Sequence, residues 1–103
     1  MDKMREMNGK LCSCGKTHRF SADVVTGSGA LEKLPEYLEK YHARKAFILS
    51  DIHTYPAAGE RVCKIFEKNG FPYSSYCFPE DHLEPDEWSV GSAVMHYDAD
   101  CDI

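Results

Sequence analysis

Hydrophobic and polar positions change period several times along this chain, and each change marks an element. A polar opening stretch, Met1–Lys10, reads as a flexible terminus. Lys10–Cys14 and His18–Thr26 then flank the turn-forming pair Gly15-Lys16 and predict a hairpin, with the β-branched end Val24-Val25-Thr26 making the second arm the stronger strand. Gly27-Ser28-Gly29 breaks that arm. Leu31, Leu34, Leu38 and Tyr41 follow at helical spacing, and Ser28 stands where an N-cap is expected. Pro35 lies too deep for one uninterrupted helix from Gly29. A short helical turn is therefore expected first, then a helix restarting with Pro35 in its first turn.

The rest of the chain alternates more regularly. Ala46-Phe47-Ile48-Leu49 reads as a strand buried on both faces. Thr54 or Tyr55 then caps a helix with Pro56 in its first turn, an apolar stripe of Ala58, Val62, Ile65 and Phe66, and a stop at Asn69-Gly70. Tyr73–Phe78 predicts a third strand. Pro85 near the first helical position, with acids around it, opens a last helix whose apolar face is Val90, Ala93, Val94 and Tyr97. Cys101-Asp102-Ile103 begins a further strand. Strands alternating with helices at this spacing imply βαβ units: an α/β, Rossmann-like parallel sheet with flanking helices. The expected division is a flexible segment 1–10 and one α/β domain over 11–103.

Composition narrows the setting. A chain of 103 residues buries roughly 60–68% of its unfolded surface, enough for one core. With 43% hydrophobic and 28% charged residues it is too apolar for wholesale disorder. The net charge of −5, with scattered Lys and Arg, argues against nucleic acid as a partner. No stretch approaches the ~20 apolar residues of a membrane span, and the first residues hold no signal-peptide core, so the expected address is cytoplasmic. Cys12, Cys14, Cys63, Cys77 and Cys101 then read as reduced thiols, Cys63 and Cys77 as small core hydrophobes. A sheet whose last strand lies at Cys101–Ile103 leaves an edge or apolar face partly uncovered, which invites self-association into a homo-oligomer.

Ligands of open parallel sheets bind beyond the carboxyl ends of the strands, which points to three segments: Gly27–Gly29, Ser50–Thr54 and Phe78–Asp81. The first offers G-x-G before a helix, with Asp51 at the end of the next strand, a dinucleotide-binding arrangement. Glu32 takes the place of its third glycine, however, and puts a carboxylate where a pyrophosphate would sit. A tight strand-to-helix turn accounts for those glycines better than a phosphate loop does. Asp51 is the sharper candidate, since a carboxylate there accepts hydrogen bonds from ribose hydroxyls; its competing role is to cap the following helix. Cys12-x-Cys14-Gly15-x-x-His18 offers three zinc-type ligands around a turn, one short of a structural site, against a hairpin whose cysteines merely pack or lie exposed. No G-x-S-x-G elbow or P-loop occurs, and no catalytic residue is assigned.

Several stretches, taken in order, carry a resemblance: Cys12–His18, Val24–Leu31, Ile48–Tyr55, Gly59-Glu60 and Leu83–Glu87. In these the chain resembles the sn-glycerol-1-phosphate dehydrogenases of the iron-dependent alcohol dehydrogenase, glycerol dehydrogenase and dehydroquinate synthase superfamily. The resemblance implies the first part of a two-domain enzyme. Its amino-terminal α/β domain binds NAD or NADP, and its helical carboxyl-terminal domain holds a divalent metal, zinc or nickel. The implied reaction reduces dihydroxyacetone phosphate to sn-glycerol 1-phosphate. The superfamily's phosphate-gripping glycine loop follows the fourth core strand and is absent from these residues, as are its metal-binding Asp and His residues. These 103 residues are therefore expected to be inactive alone. Asp51 then corresponds to the adenosine-ribose acid, His53 and Thr54 to its neighbours, and Phe78–Asp81 to a segment near the adenine. The partner implied is a small-molecule dinucleotide. The alternative is a small non-catalytic α/β binding or interaction domain.

Overall fold

The computed structural model describes residues 6–103, and the chain divides into two units, 1–30 and 31–103. The flexible terminus expected over Met1–Lys10 falls partly outside the described residues.

The second unit is built around two strands. β1 (Ala46–Asp51) and β2 (Tyr73–Phe78) pair in parallel, in register from Ala46 opposite Tyr73 to Asp51 opposite Phe78. Parallel neighbours need a crossover, and the helical run between the strands supplies it. It begins as a wide π-helical turn over Tyr55–Gly59 and continues as α2 (Glu60–Lys68). Gly59 suits that turn: a Cβ there would meet the Tyr55 ring at 3.0 Å and press it aside. Asn69 ends α2, and Gly70 turns the chain out with φ of 63°, as expected of a glycine after a helix. Before β1, a 3-10 turn (Leu31–Lys33) leads into α1 (Leu34–Lys40), with Pro35 in its first turn. The two-step entry read from Pro35 is what forms.

Leu38 of α1, Ala46 of β1 and Phe66 of α2 make the core, joined by Leu34, Ile48, Val62 and Ile65. The Phe66 ring meets those of Phe71 at 5.3 Å and Tyr73 at 5.7 Å. Alternation along β1 sends Phe47 and Leu49 to the opposite face. There α3 (Glu87–His96) approaches, with Tyr97 edge-on to Phe47 and His96 stacked on Tyr76 at 3.8 Å. The result is an α/β unit with a two-stranded parallel sheet and three helices, a Rossmann-like fragment.

Five expectations change here. β1 is not buried on both faces: Leu49 is 48% exposed, because α3 leaves part of its face open. Part of the expected apolar face of α3 also stays in water: Val90 and Val94 are exposed beside Trp88 and Met95, whereas Ala93 is half-buried and Tyr97 packs on Phe47. Pro85 precedes α3 rather than opening it, since the Asp86 carboxylate accepts the Ser89 N–H at 2.9 Å and is itself the N-cap. Cys63 is buried as expected, but Cys77 is exposed, at the far end of β2 from Tyr73, the residue through which that strand joins the core. Cys101–Ile103 is not a regular strand. It nevertheless follows β1's other edge through Asp102 N–H to Lys45 O at 2.9 Å and Phe47 N–H to Ile103 O at 2.8 Å.

The first unit is a hairpin closed by turn bonds. Leu11 and Thr17 form an antiparallel bridge, Cys12 N–H reaches Lys16 O at 2.9 Å, and Gly15 takes a left-handed φ of 84°. The strand expected over His18–Thr26 does not form: its β-branched end finds no partner strand among the described residues. Ser28 is not an N-cap either. Gly27 and Gly29 adopt φ of 109° and 77°, Ala30 N–H closes a turn onto Gly27 O at 3.2 Å, and α1 begins only at Leu34.

Candidate functional site

Parallel pairing brings the carboxyl ends of β1 and β2 to one rim, with Asp51 opposite Phe78. Asp51 is held there by its own loop. Its Oδ1 accepts the Thr54 N–H at 2.7 Å, the His53 N–H at 2.9 Å and the Thr54 hydroxyl at 3.0 Å. In return, Thr54 Oγ1 accepts the Asp51 N–H at 2.8 Å. Donation by the Thr54 amide, then the His53 amide, holds the Asp51 carboxyl below its ordinary range, so it is anionic at neutral pH. Three donors saturate Oδ1. Oδ2 has no hydrogen-bond partner among the described residues.

His53 crosses the rim. Its Nε2 lies 2.8 Å from Asp81 Oδ1 and 3.2 Å from Asp81 O, tying the loop after β1 to the loop after β2. Asp81's hydrogen bond raises the His53 pKa. His82 Nε2 lies 3.4 Å from the other Asp81 oxygen. The structure therefore brings Asp51, His53 and Thr54 together, with Thr54 turned onto Asp51. The sequence marks Phe78–Asp81 as a segment at a strand end but not Asp81 as the partner of His53; the only signal is an acid at that end facing a histidine in the neighbouring loop. Gly27–Gly29 belongs to the first unit and Asp51 to the second.

Only one group of metal-type ligands gathers among the described residues. It is Cys12, Cys14 and His18 in the hairpin, with ligand atoms within 4.8 Å of one another. The Cys14 amide, the largest of several hydrogen bonds, draws the Cys12 thiol pKa down. No helix among the described residues is long and apolar enough to cross a membrane.

No family model matches the chain, and no solved structure matches it. Among curated proteins, the glycerol-1-phosphate dehydrogenase [NAD(P)+] of Halalkalibacterium halodurans is 28% identical over 89 residues, which cover 82% of this chain. The chain spans 22% of that enzyme's length, and it is a distant relative of that dehydrogenase.

Proposed function

We propose that this chain binds the adenosine end of NAD or NADP for a dehydrogenase that reduces dihydroxyacetone phosphate to sn-glycerol 1-phosphate. The observation that carries the reading is Asp51: an anionic carboxylate at the tip of a parallel strand, oriented through one oxygen and open at the other. Oδ2 accepts hydrogen bonds from the ribose hydroxyls. Thr54 and the His53 amide position it, and the His53–Asp81 tie sets the spacing of the rim. Phe78–Asp81 borders the base. The cofactor, when bound, supplies the hydride. The strand ends gather no metal-ligand cluster, so no metal is assigned there. The proposed division places this cofactor portion in 11–103. A dinucleotide is gripped chiefly by backbone N–H groups at a helix N-terminus. With no glycine-rich phosphate loop in these residues, adenosine contacts dominate and binding is weak.

Titration of the 15N-labelled chain with ADP-ribose tests this, because Asp51→Asn is a clean variant. Asparagine keeps an Oδ1 to accept the loop's three donors but replaces Oδ2 with a donor. ADP-ribose should produce saturable shifts in residues 50–54 and 78–81, and Asp51→Asn should weaken binding roughly tenfold or more, the scale of a hydrogen bond to a charged group. Equal binding by both chains would end the proposal. Silence in both favours a second reading, a non-catalytic interaction domain, to which the exposed Trp88, Val94 and Met95 on α3 lend support.

A further inference from the structure

The hairpin gathers chemistry that the cofactor reading leaves unused. Cys14 Sγ lies 3.1 Å from His18 Nε2, and the Cys12 ligand atom completes a group within 4.8 Å. A zinc ion takes Zn–S bonds of about 2.3 Å and Zn–N bonds of about 2.0–2.1 Å, so its tetrahedral ligand atoms stand roughly 3.5–3.8 Å apart. That spacing falls between the 3.1 Å of Cys14 and His18 and the 4.8 Å within which all three ligand atoms lie.

The backbone beneath is already set. Gly15, at φ of 84°, makes the reversal, and its N–H reaches Cys12 O at 2.9 Å. Gly9 N–H bonds His18 O at 2.9 Å, fixing the chain at the third ligand. The Asn8 side chain then grips Phe20 twice, through Nδ2 to Phe20 O at 3.1 Å and Oδ1 from Phe20 N–H at 3.2 Å. Beside the ligands, Met7, Leu11 and Phe20 contribute to a depression of about 300 Å³ that also includes Cys12 and His18. Yet among the described residues the hairpin buries no side chain that would explain so well tied a turn.

The geometry points to a zinc-class metal site formed by Cys12, Cys14 and the His18 imidazole. Each thiol gives up its proton on binding, and the two thiolates neutralise the divalent ion while His18 coordinates as the neutral imidazole. The described residues supply no fourth ligand to this group; in zinc sites with three protein ligands the fourth position is taken by water or an external donor. The site lies wholly within the first unit and does not depend on the Asp51 reading.

The test is a Co²⁺ titration of the whole chain, chelator-stripped and with its thiols reduced. Expected are thiolate-to-cobalt charge-transfer absorption and tetrahedral visible bands that saturate at one ion per chain and bleach when Zn²⁺ is added. In a parallel NMR titration Zn²⁺ should shift the amides of residues 11–18 and the His18 ring. Cys12→Ser and Cys14→Ser should each lose the one-equivalent saturation, whereas Cys77→Ser, at an exposed thiol of the other unit, should retain it. Unchanged amide shifts of Gly9 and Phe20 in the metal-free variants show that the hairpin remains folded. No charge-transfer band, saturation retained in Cys14→Ser, equal loss in Cys77→Ser, or one ion shared by two chains would each overturn the site.

Discussion

The two units of this chain are held together by different physics. The second buries Leu38, Ala46 and Phe66 between two helices and a sheet, a hydrophobic core in miniature. The first buries no side chain among its described residues and keeps its shape through a bridge, a glycine turn and the clasp of Asn8 on Phe20. Apolar area removed from water holds the second unit, and each buried side chain adds to it. Turn hydrogen bonds contribute little net stability each, so the first unit gains most from a ligand that binds only the folded form.

The strongest way to break this contrast is Phe66→Ala. Phe66 touches Phe71 and Tyr73 and is 3% exposed. Truncating a core phenylalanine typically costs about 3–5 kcal/mol, a large share of the roughly 5–15 kcal/mol that holds a domain folded. The sheet unit should lose most of its amide dispersion at 25 °C, with the urea midpoint falling steeply. The amide shifts of Gly9 and Gly15 should stay in place. If they collapse together with the sheet, the two units are not separately stabilised.

A second, smaller effect concerns acid. Asp98 accepts from Lys45 Nζ at 2.6 Å, Ser74 Oγ at 2.6 Å and Asp100 N–H at 3.0 Å; Lys45, then Ser74, hold its carboxyl well below the carboxylate range. Asp102, lowered by the Arg44 and Lys45 amides, draws the same segment onto the edge of β1. A depressed folded pKa gives stability that is present above the unfolded value, about 3.9, and lost as pH falls through the folded one. The sheet unit should therefore loosen below about pH 4. Asp98→Asn should lower its urea midpoint at pH 7 and flatten that acid dependence. An unchanged pH profile would show that the clasp contributes nothing.

What the sequence made legible follows the same division. The period of Val62, Ile65 and Phe66, the stop at Asn69-Gly70 and the run Tyr73–Phe78 were readable because a core selects its residues by spacing. The second hairpin arm and the Ser28 cap were misread because β-branched residues and serine state a preference that only a partner strand or an open helix end can realise. The exposed face of α3 shows the opposite limit: an apolar stripe says that a surface is fit for burial, not that the fold covers it. At the rim, Asp51 was legible from its place after a strand. Its division of labour between Oδ1 and Oδ2 was not, since that depends on how residues 51–54 turn.

The smallest effect sharpens the rim itself. His53 and Asp81 are both mostly in water, with side chains 63% and 67% exposed, so their pairing adds little to stability. It shows instead in titration. Asp81's hydrogen bond raises the His53 pKa, with burial opposing and the charge of Asp51 adding a minor part. A raised folded pKa means the pairing's contribution is complete below the unfolded histidine value, about 6.5, and fades as pH rises through the higher folded one. An NMR titration of the His53 ring should give a midpoint above the ordinary value, and Asp81→Asn should bring it down while Asp51 keeps its bonds to residues 53 and 54. The tie between the loops after β1 and β2 would then be strongest below about pH 6.5 and weaken as pH rises through the raised His53 midpoint. ADP-ribose affinity should weaken modestly over that same rise, because the acceptor Oδ2 persists while the spacing of the rim no longer does. A His53 midpoint indifferent to Asp81→Asn would leave Asp51 as a carboxylate on an untied loop.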